Sequence, residues 1–87
     1  MNVVILSGKI LHKKDIQFVY NRNRKSKNIT RIEVKLELED GSAIVAYGYN
    51  EIADAIYREE SKRMLIEGRL NSKMQIEIEN VITKDKL

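Results

Sequence analysis

Hydrophobic and polar residues alternate without a break from Thr30 to Glu39. Ile32, Val34, Leu36 and Leu38 share one side, and Arg31, Glu33, Lys35, Glu37 and Glu39 the other. A period of two sustained this long predicts a strand with one buried face. Asp40-Gly41 supplies turn chemistry directly after it, so Ser42 to Tyr49 reads as the returning arm of a hairpin. At Asn50 the period changes. Asn50 is suited to accept hydrogen bonds from the free amides of a first helical turn, Glu51 and Asp54 complement the helix dipole, and Ile52, Ala53, Ile56 and Tyr57 recur at helical spacing. A helix of about three turns is expected, to about Glu60.

The flanks of this unit are strands as well. Met1 to Ile10 is mostly apolar, and Gly8 within it marks a bulge or bend of the kind that curls a sheet. Beyond the helix, Arg63 to Leu70 places Met64, Ile66, Gly68 and Leu70 on one face. Asn71-Ser72-Lys73 then turns the chain into Met74 to Ile82, where Met74, Ile76 and Ile78 alternate with Gln75, Glu77 and Glu79. The order is three strands, one helix, two strands, forming one domain over residues 1–82, with residues 83–87 as a short frayed tail. Short strands with glycine bends suit a small closed antiparallel barrel; an open sheet crossed by one helix is the alternative.

A chain of 87 residues holds one modest core and no second lobe, which disfavours a cleft enzyme. No apolar run approaches the ~18 residues that span a bilayer, so no membrane association is expected. The first residues carry neither a basic flank nor a small-residue cleavage pattern, so no leader peptide is read there. With no cysteine, a thiolate metal site is excluded, and a reducing compartment such as the cytoplasm fits. His12 is the only histidine and has no partner at ligand spacing. No pair of carboxylates is set apart for acid and base work, and no glycine-rich phosphate loop occurs. No catalysis, cofactor or metal is expected.

The net +3 conceals an asymmetry: residues 1–29 carry seven Lys or Arg against Asp15 alone, a balance of +6, while the remainder stands at −3. A positive field at one end raises the prospect of a polyanionic partner. Arg22, Arg24, Lys25 and Lys27 form its densest part, next to Phe18 and Tyr20. These cations either neutralise phosphates or solvate a long connection, and the two aromatics either extend a stacking surface or pin the loop. Tyr47 and Tyr49 lie on one face of their strand; which face depends on register. A two-residue Asp40-Gly41 loop sets Tyr47 opposite Val34, in the core. A three-residue loop, Glu39-Asp40-Gly41 with Gly41 left-handed, sets it opposite Glu33, in solvent. Exposed tyrosines beside cations suit unpaired bases and their backbone, so single-stranded nucleic acid is the expected ligand. Arg31 and Lys35 would join that surface, although Glu33 and Glu37 alternate with them and repel phosphate in part.

Three blocks resemble one family in the correct order. Met1-Asn2-Val3-Val4-Ile5-Leu6-Ser7-Gly8-Lys9-Ile10 resembles the opening strand of bacterial and organellar single-stranded DNA-binding proteins. Val45-Ala46-Tyr47-Gly48 is similar to the end of their third strand, and Met64-Leu65-Ile66-Glu67-Gly68-Arg69-Leu70 to their fourth. Asp15-Ile16-Gln17-Phe18-Val19-Tyr20 is a weaker match in the first loop. The resemblance implies an OB-fold, a five-stranded Greek-key barrel with the helix between strands three and four, and single-stranded DNA lying across strands two and three. It places a base-stacking aromatic at Tyr47 and implies a homodimer or homotetramer built partly through the first strand, as in the related primosomal replication protein N. A bacterial, phage or plasmid source in the cytoplasm fits, and a plastid is also possible.

The departures shape the expectation too. There is no tryptophan, and the hairpin loops at Glu39-Asp40-Gly41 and Asn71-Ser72-Lys73 are short where the family has long DNA-gripping arms. The sequence stops at Lys84-Asp85-Lys86-Leu87 without the family's acidic tip, so recruitment of partner enzymes by that route is not expected. The leading expectation is sequence-independent binding of single-stranded DNA in replication, recombination or repair, with RNA left open. The alternative is an assembly subunit that binds nucleic acid weakly or not at all.

Overall fold

The computed structural model describes residues 2–19 and 29–83. The alternating segments form six strands and one helix: β1 (Val4–Lys13), β2 (Gln17–Val19), β3 (Ile29–Glu37), β4 (Ala43–Tyr49), α1 (Glu51–Arg58), β5 (Arg63–Leu70) and β6 (Ile76–Thr83). Five strands run in the order β1-β5-β6-β4-β3, and a β1–β3 pairing closes them into a barrel. The β4–β6 pairing is parallel and the others antiparallel. This is the expected OB barrel with its helix between the third and fourth barrel strands. The open-sheet alternative is excluded by the β1–β3 closure.

One element was not anticipated. Gln17–Val19, read from sequence as part of a long connection, forms the sixth strand on the free edge of β3. Strand β1 also runs past Ile10 to Lys13, because it serves two neighbours in turn. Val4 to Lys9 pair with β5 and Lys9 to Lys13 with β3, with an irregularity between Ile10 and His12.

The inward face of β3 supplies Ile32, Val34 and Leu36, all fully buried, against Ala46 of β4, Met64 and Ile66 of β5 and Ile76 and Ile78 of β6. Helix α1 contributes Ala53 and Ile56 to the same core. It seats on β4 at Gly48, where a Cβ would lie 2.8 Å from Ile56 Cδ1 and 2.9 Å from Ile52 Cγ2. The helix is shorter than expected, ending at Arg58, and its far end is held by Lys13. That ammonium donates to the carbonyls of Ile56 at 3.0 Å, Tyr57 at 3.4 Å and Glu59 at 2.5 Å. A cation at the negative end of a helix dipole, donating to the carbonyls that close the helix, is favourable.

Two local expectations are corrected. Asn50 does not cap α1 with its side chain; it sits at φ 52. Its Oδ1 accepts from the Thr30 amide at 3.2 Å, while its own amide donates to the Thr30 carbonyl at 3.0 Å. Thr30 on β3 thus captures the side chain before the helix can, and only the Asn50 carbonyl begins the helix, accepting from Asp54 N at 3.1 Å. Met74 does not lie on a strand facing inward. It is 74% exposed at φ 63 in the β5–β6 turn. The cause is Asn71, whose Oδ1 accepts from the amides of Lys73 at 2.9 Å and Gln75 at 3.0 Å and so holds the turn open through Gln75.

The β3–β4 hairpin takes the three-residue form. Leu38 N donates to Ser42 O at 2.8 Å, Gly41 N to Leu38 O at 3.0 Å, and Gly41 stands at φ 86. Asp40 secures the turn by accepting from Ser42 N at 2.9 Å.

Two substitutions separate the demands on these glycines. Gly41→Ala meets no neighbour within 4 Å, so its cost is conformational alone. It should lower unfolding stability by about 1–2 kcal/mol in urea titrations, with Gly41→Asn losing less. Gly48→Ala instead forces a Cβ into the α1 contact and should cost about 1–3 kcal/mol through overpacking. A neutral result at either position would show that the turn or the helix seat relaxes freely.

Candidate nucleic-acid interface

The register of β3 against β4 decides which side chains meet outside the barrel. Ile32 pairs with Gly48 and Val34 with Ala46, all buried. Hence Arg31 pairs with Tyr49, Glu33 with Tyr47, Lys35 with Val45 and Glu37 with Ala43 on the outer face. Tyr47 and Tyr49 are both half-buried on that face, and neither ring enters the core.

Around Tyr47 the face is densely charged. The Arg31 guanidinium carbon lies 5.2 Å from the Tyr47 ring centroid, a cation–π distance reached diagonally from the neighbouring register position. Arg31 also donates to Gln17 Oε1 on β2 at 3.4 Å. Glu33 carries an ion pair with Lys14, Nζ to Oε2 at 2.9 Å, reinforced by a hydrogen bond from Lys14 N to Glu33 O at 3.0 Å. The hydrogen bond from Lys14 holds the Glu33 carboxyl below the usual glutamate range. Tyr47 is shifted the other way: loss of water around its hydroxyl, then the negative charge of Glu33, push its ionisation above the usual phenol range. Both groups therefore keep their neutral-pH forms, a carboxylate beside an un-ionised phenol.

On its other side Tyr47 pairs with Glu77 of β6. Glu77 Oε2 accepts from Asn71 Nδ2 at 3.0 Å, a neutral donor. Next to it Arg69 and Glu79 form an ion pair at 2.6 Å, which lowers the Glu79 carboxyl and raises the Arg69 guanidinium.

The expected site residues are thus distributed unevenly. Tyr47, Tyr49, Arg31 and Lys35 share the outer face of β3 and β4. Phe18 is 76% exposed on β2, but it pairs with Thr30, so it projects from the side of the β2–β3 ribbon opposite to Gln17 and Arg31. Tyr20, Arg22, Arg24, Lys25 and Lys27 lie outside the described residues.

Lys14, Gln17 and Glu77 were missed from sequence. Lys14 looked like one more loop cation, and nothing local ties it to a glutamate on another strand. Glu77 fell on a solvent face, with no sign that its neighbour is an aromatic ring. What these groups offer is non-covalent: an aromatic face, a guanidinium already stacked on it, and cations weighted toward β3.

No helix among the described residues is long and apolar enough to cross a membrane. No protein-family model matches the sequence, and no curated protein matches it. Among solved structures the chain is similar to the SSB domain of a Synechococcus sp. protein. That likeness has 20% sequence identity and a TM-score of 0.67 and covers 95% of this chain and 96% of that one. At this identity the shared feature is the fold, an OB barrel matched over nearly its whole length.

Proposed function

We infer that the outer face of β3 and β4 binds single-stranded DNA without sequence preference, with Tyr47 as the stacking residue. The observation that carries this reading is the three-residue hairpin loop, which pairs Tyr47 with Glu33 and turns its ring out of the core. Tyr49 extends the platform, and Arg31 and Lys35 offer counter-charge along the same strands. The Arg31 guanidinium on the Tyr47 ring occupies the place a base would take, and on binding it is free to turn to the backbone. The likeness to an SSB domain supports the same reading, since such domains hold single-stranded DNA on an OB barrel.

The wider proposal is a non-catalytic protein of replication, recombination or repair, acting as a homodimer or homotetramer, with Phe18, Tyr20, Arg22, Arg24, Lys25 and Lys27 assisting in binding. The second reading, an assembly subunit that uses the sheet face for a protein, draws on Glu33 and Glu77 beside Tyr47, which weaken attraction for phosphate.

Oligo-thymidylate titrations followed by tyrosine fluorescence over a salt series separate the two. Tyr47→Ala should lose about 1–3 kcal/mol of affinity, the value of one stacked base. The logarithm of the wild-type binding constant should fall by ~0.7 per neutralised phosphate for each tenfold rise in salt. Undetectable or salt-independent binding would favour the assembly role, and an oligo-uridylate arm shows whether RNA is bound as well as DNA.

A further inference from the structure

Glu33, Tyr47 and Glu77 are register partners on three adjacent strands, so they form a row of acid, aromatic, acid across the outer face. Neighbouring strands lie about 4.8 Å apart, so the three residues stand side by side across the sheet. The two acids are not equivalent. Glu33 is paired with Lys14 at 2.9 Å, whereas Glu77 accepts from the neutral Asn71 amide and has as its register partner on β5 an arginine, Arg69, that is already bound to Glu79 at 2.6 Å. The cations near the ring, Arg31 and Lys14, stand on the β3 side, while on the β6 side two acids, Glu77 and Glu79, share the single cation Arg69 among the described residues.

We propose that Glu33 and Glu77 determine specificity for single strands by excluding phosphate from the space over Tyr47. The inference rests on the single-strand reading above and adds the reason duplex is refused. A single strand is free to turn a neutral base onto the ring while its phosphates run along the β3 side, where Arg31 and Lys35 lie. A duplex has its bases paired inside and presents about one negative charge per 1.7 Å of axis. It has no neutral face to lay between two carboxylates. Glu33 acts twice, through its own charge and by engaging Lys14, which would otherwise be free to hold a phosphate.

The test compares Glu33→Gln/Glu77→Gln with wild type for binding an oligo-thymidylate and a random-sequence duplex of equal length at one salt concentration. Glutamine keeps the shape and can still accept from Asn71. Duplex affinity should rise about tenfold or more while single-strand affinity changes about threefold or less, because only the duplex must place phosphate over the ring. A control variant, Glu60→Gln/Glu67→Gln, removes the same charge at exposed positions away from the row. It should leave the ratio of single-strand to duplex affinity unchanged. The single variant Glu77→Gln, at a strand surface, should give part of the effect if the double variant folds poorly. A ratio unchanged in the double and single variants, or lowered equally by the control, overturns the exclusion role alone. Wild-type protein that fails to bind oligo-thymidylate at all overturns the single-strand reading and this inference with it.

Discussion

The outer face of this barrel depends on one residue of turn length. Pairing repeats every two residues, so a loop shorter by one between β3 and β4 would exchange the faces of β4 relative to β3. Gly41, at φ 86, supplies the left-handed residue that a three-residue loop requires, and Asp40 fixes the turn through Ser42. With that register, Ala46 and Gly48 point inward, where the small residues leave room for Ile52 and Ile56 of α1. The large aromatics at 47 and 49 then stand outside. A packing demand inside and a ligand surface outside are thus met by the same alternation of small and large residues.

The helix completes the arrangement from the other end of the barrel. It is short, eight residues, and an isolated helix of that length would not persist in water. Its apolar side is held by Gly48 and the core, and its C-terminal carbonyls by Lys13 at the end of β1. Strand β1 therefore ties β5, β3 and α1 together. The next residue, Lys14, turns to Glu33 on the outer face. Two adjacent lysines thus serve different ends, one closing the helix and the other setting the charge beside Tyr47.

Much of this was legible because β3 has one wet and one dry face, and the same contrast recurs in β5 and β6. The barrel followed from glycines placed among those strands and from the resemblance in three blocks. Both hairpin registers for β4 could be written down from the sequence, but choosing between them needed the turn geometry. What stayed hidden was settled by distant partners. Lys13 finds its carbonyls more than forty residues away, and Asn50 is taken by Thr30 twenty residues earlier. Strand β2 is only three residues long and owes its existence to the free edge of β3, so no periodicity could reveal it. Met74 leaves the strand because Asn71 organises the turn around its own side chain. Glu77 became relevant only once the parallel β4–β6 pairing set it beside Tyr47, a contact that alternation along one strand cannot show.

NMR of the protein bound to oligo-thymidylate reads directly whether the ring at position 47 faces outward and receives a base. An outward ring should give intermolecular nuclear Overhauser contacts between Tyr47 and thymine protons, with upfield ring shifts from stacking. Ring contacts to Ile32, Val34 or Ile66 in place of thymine would put Tyr47 inside the barrel and contradict the outward placement.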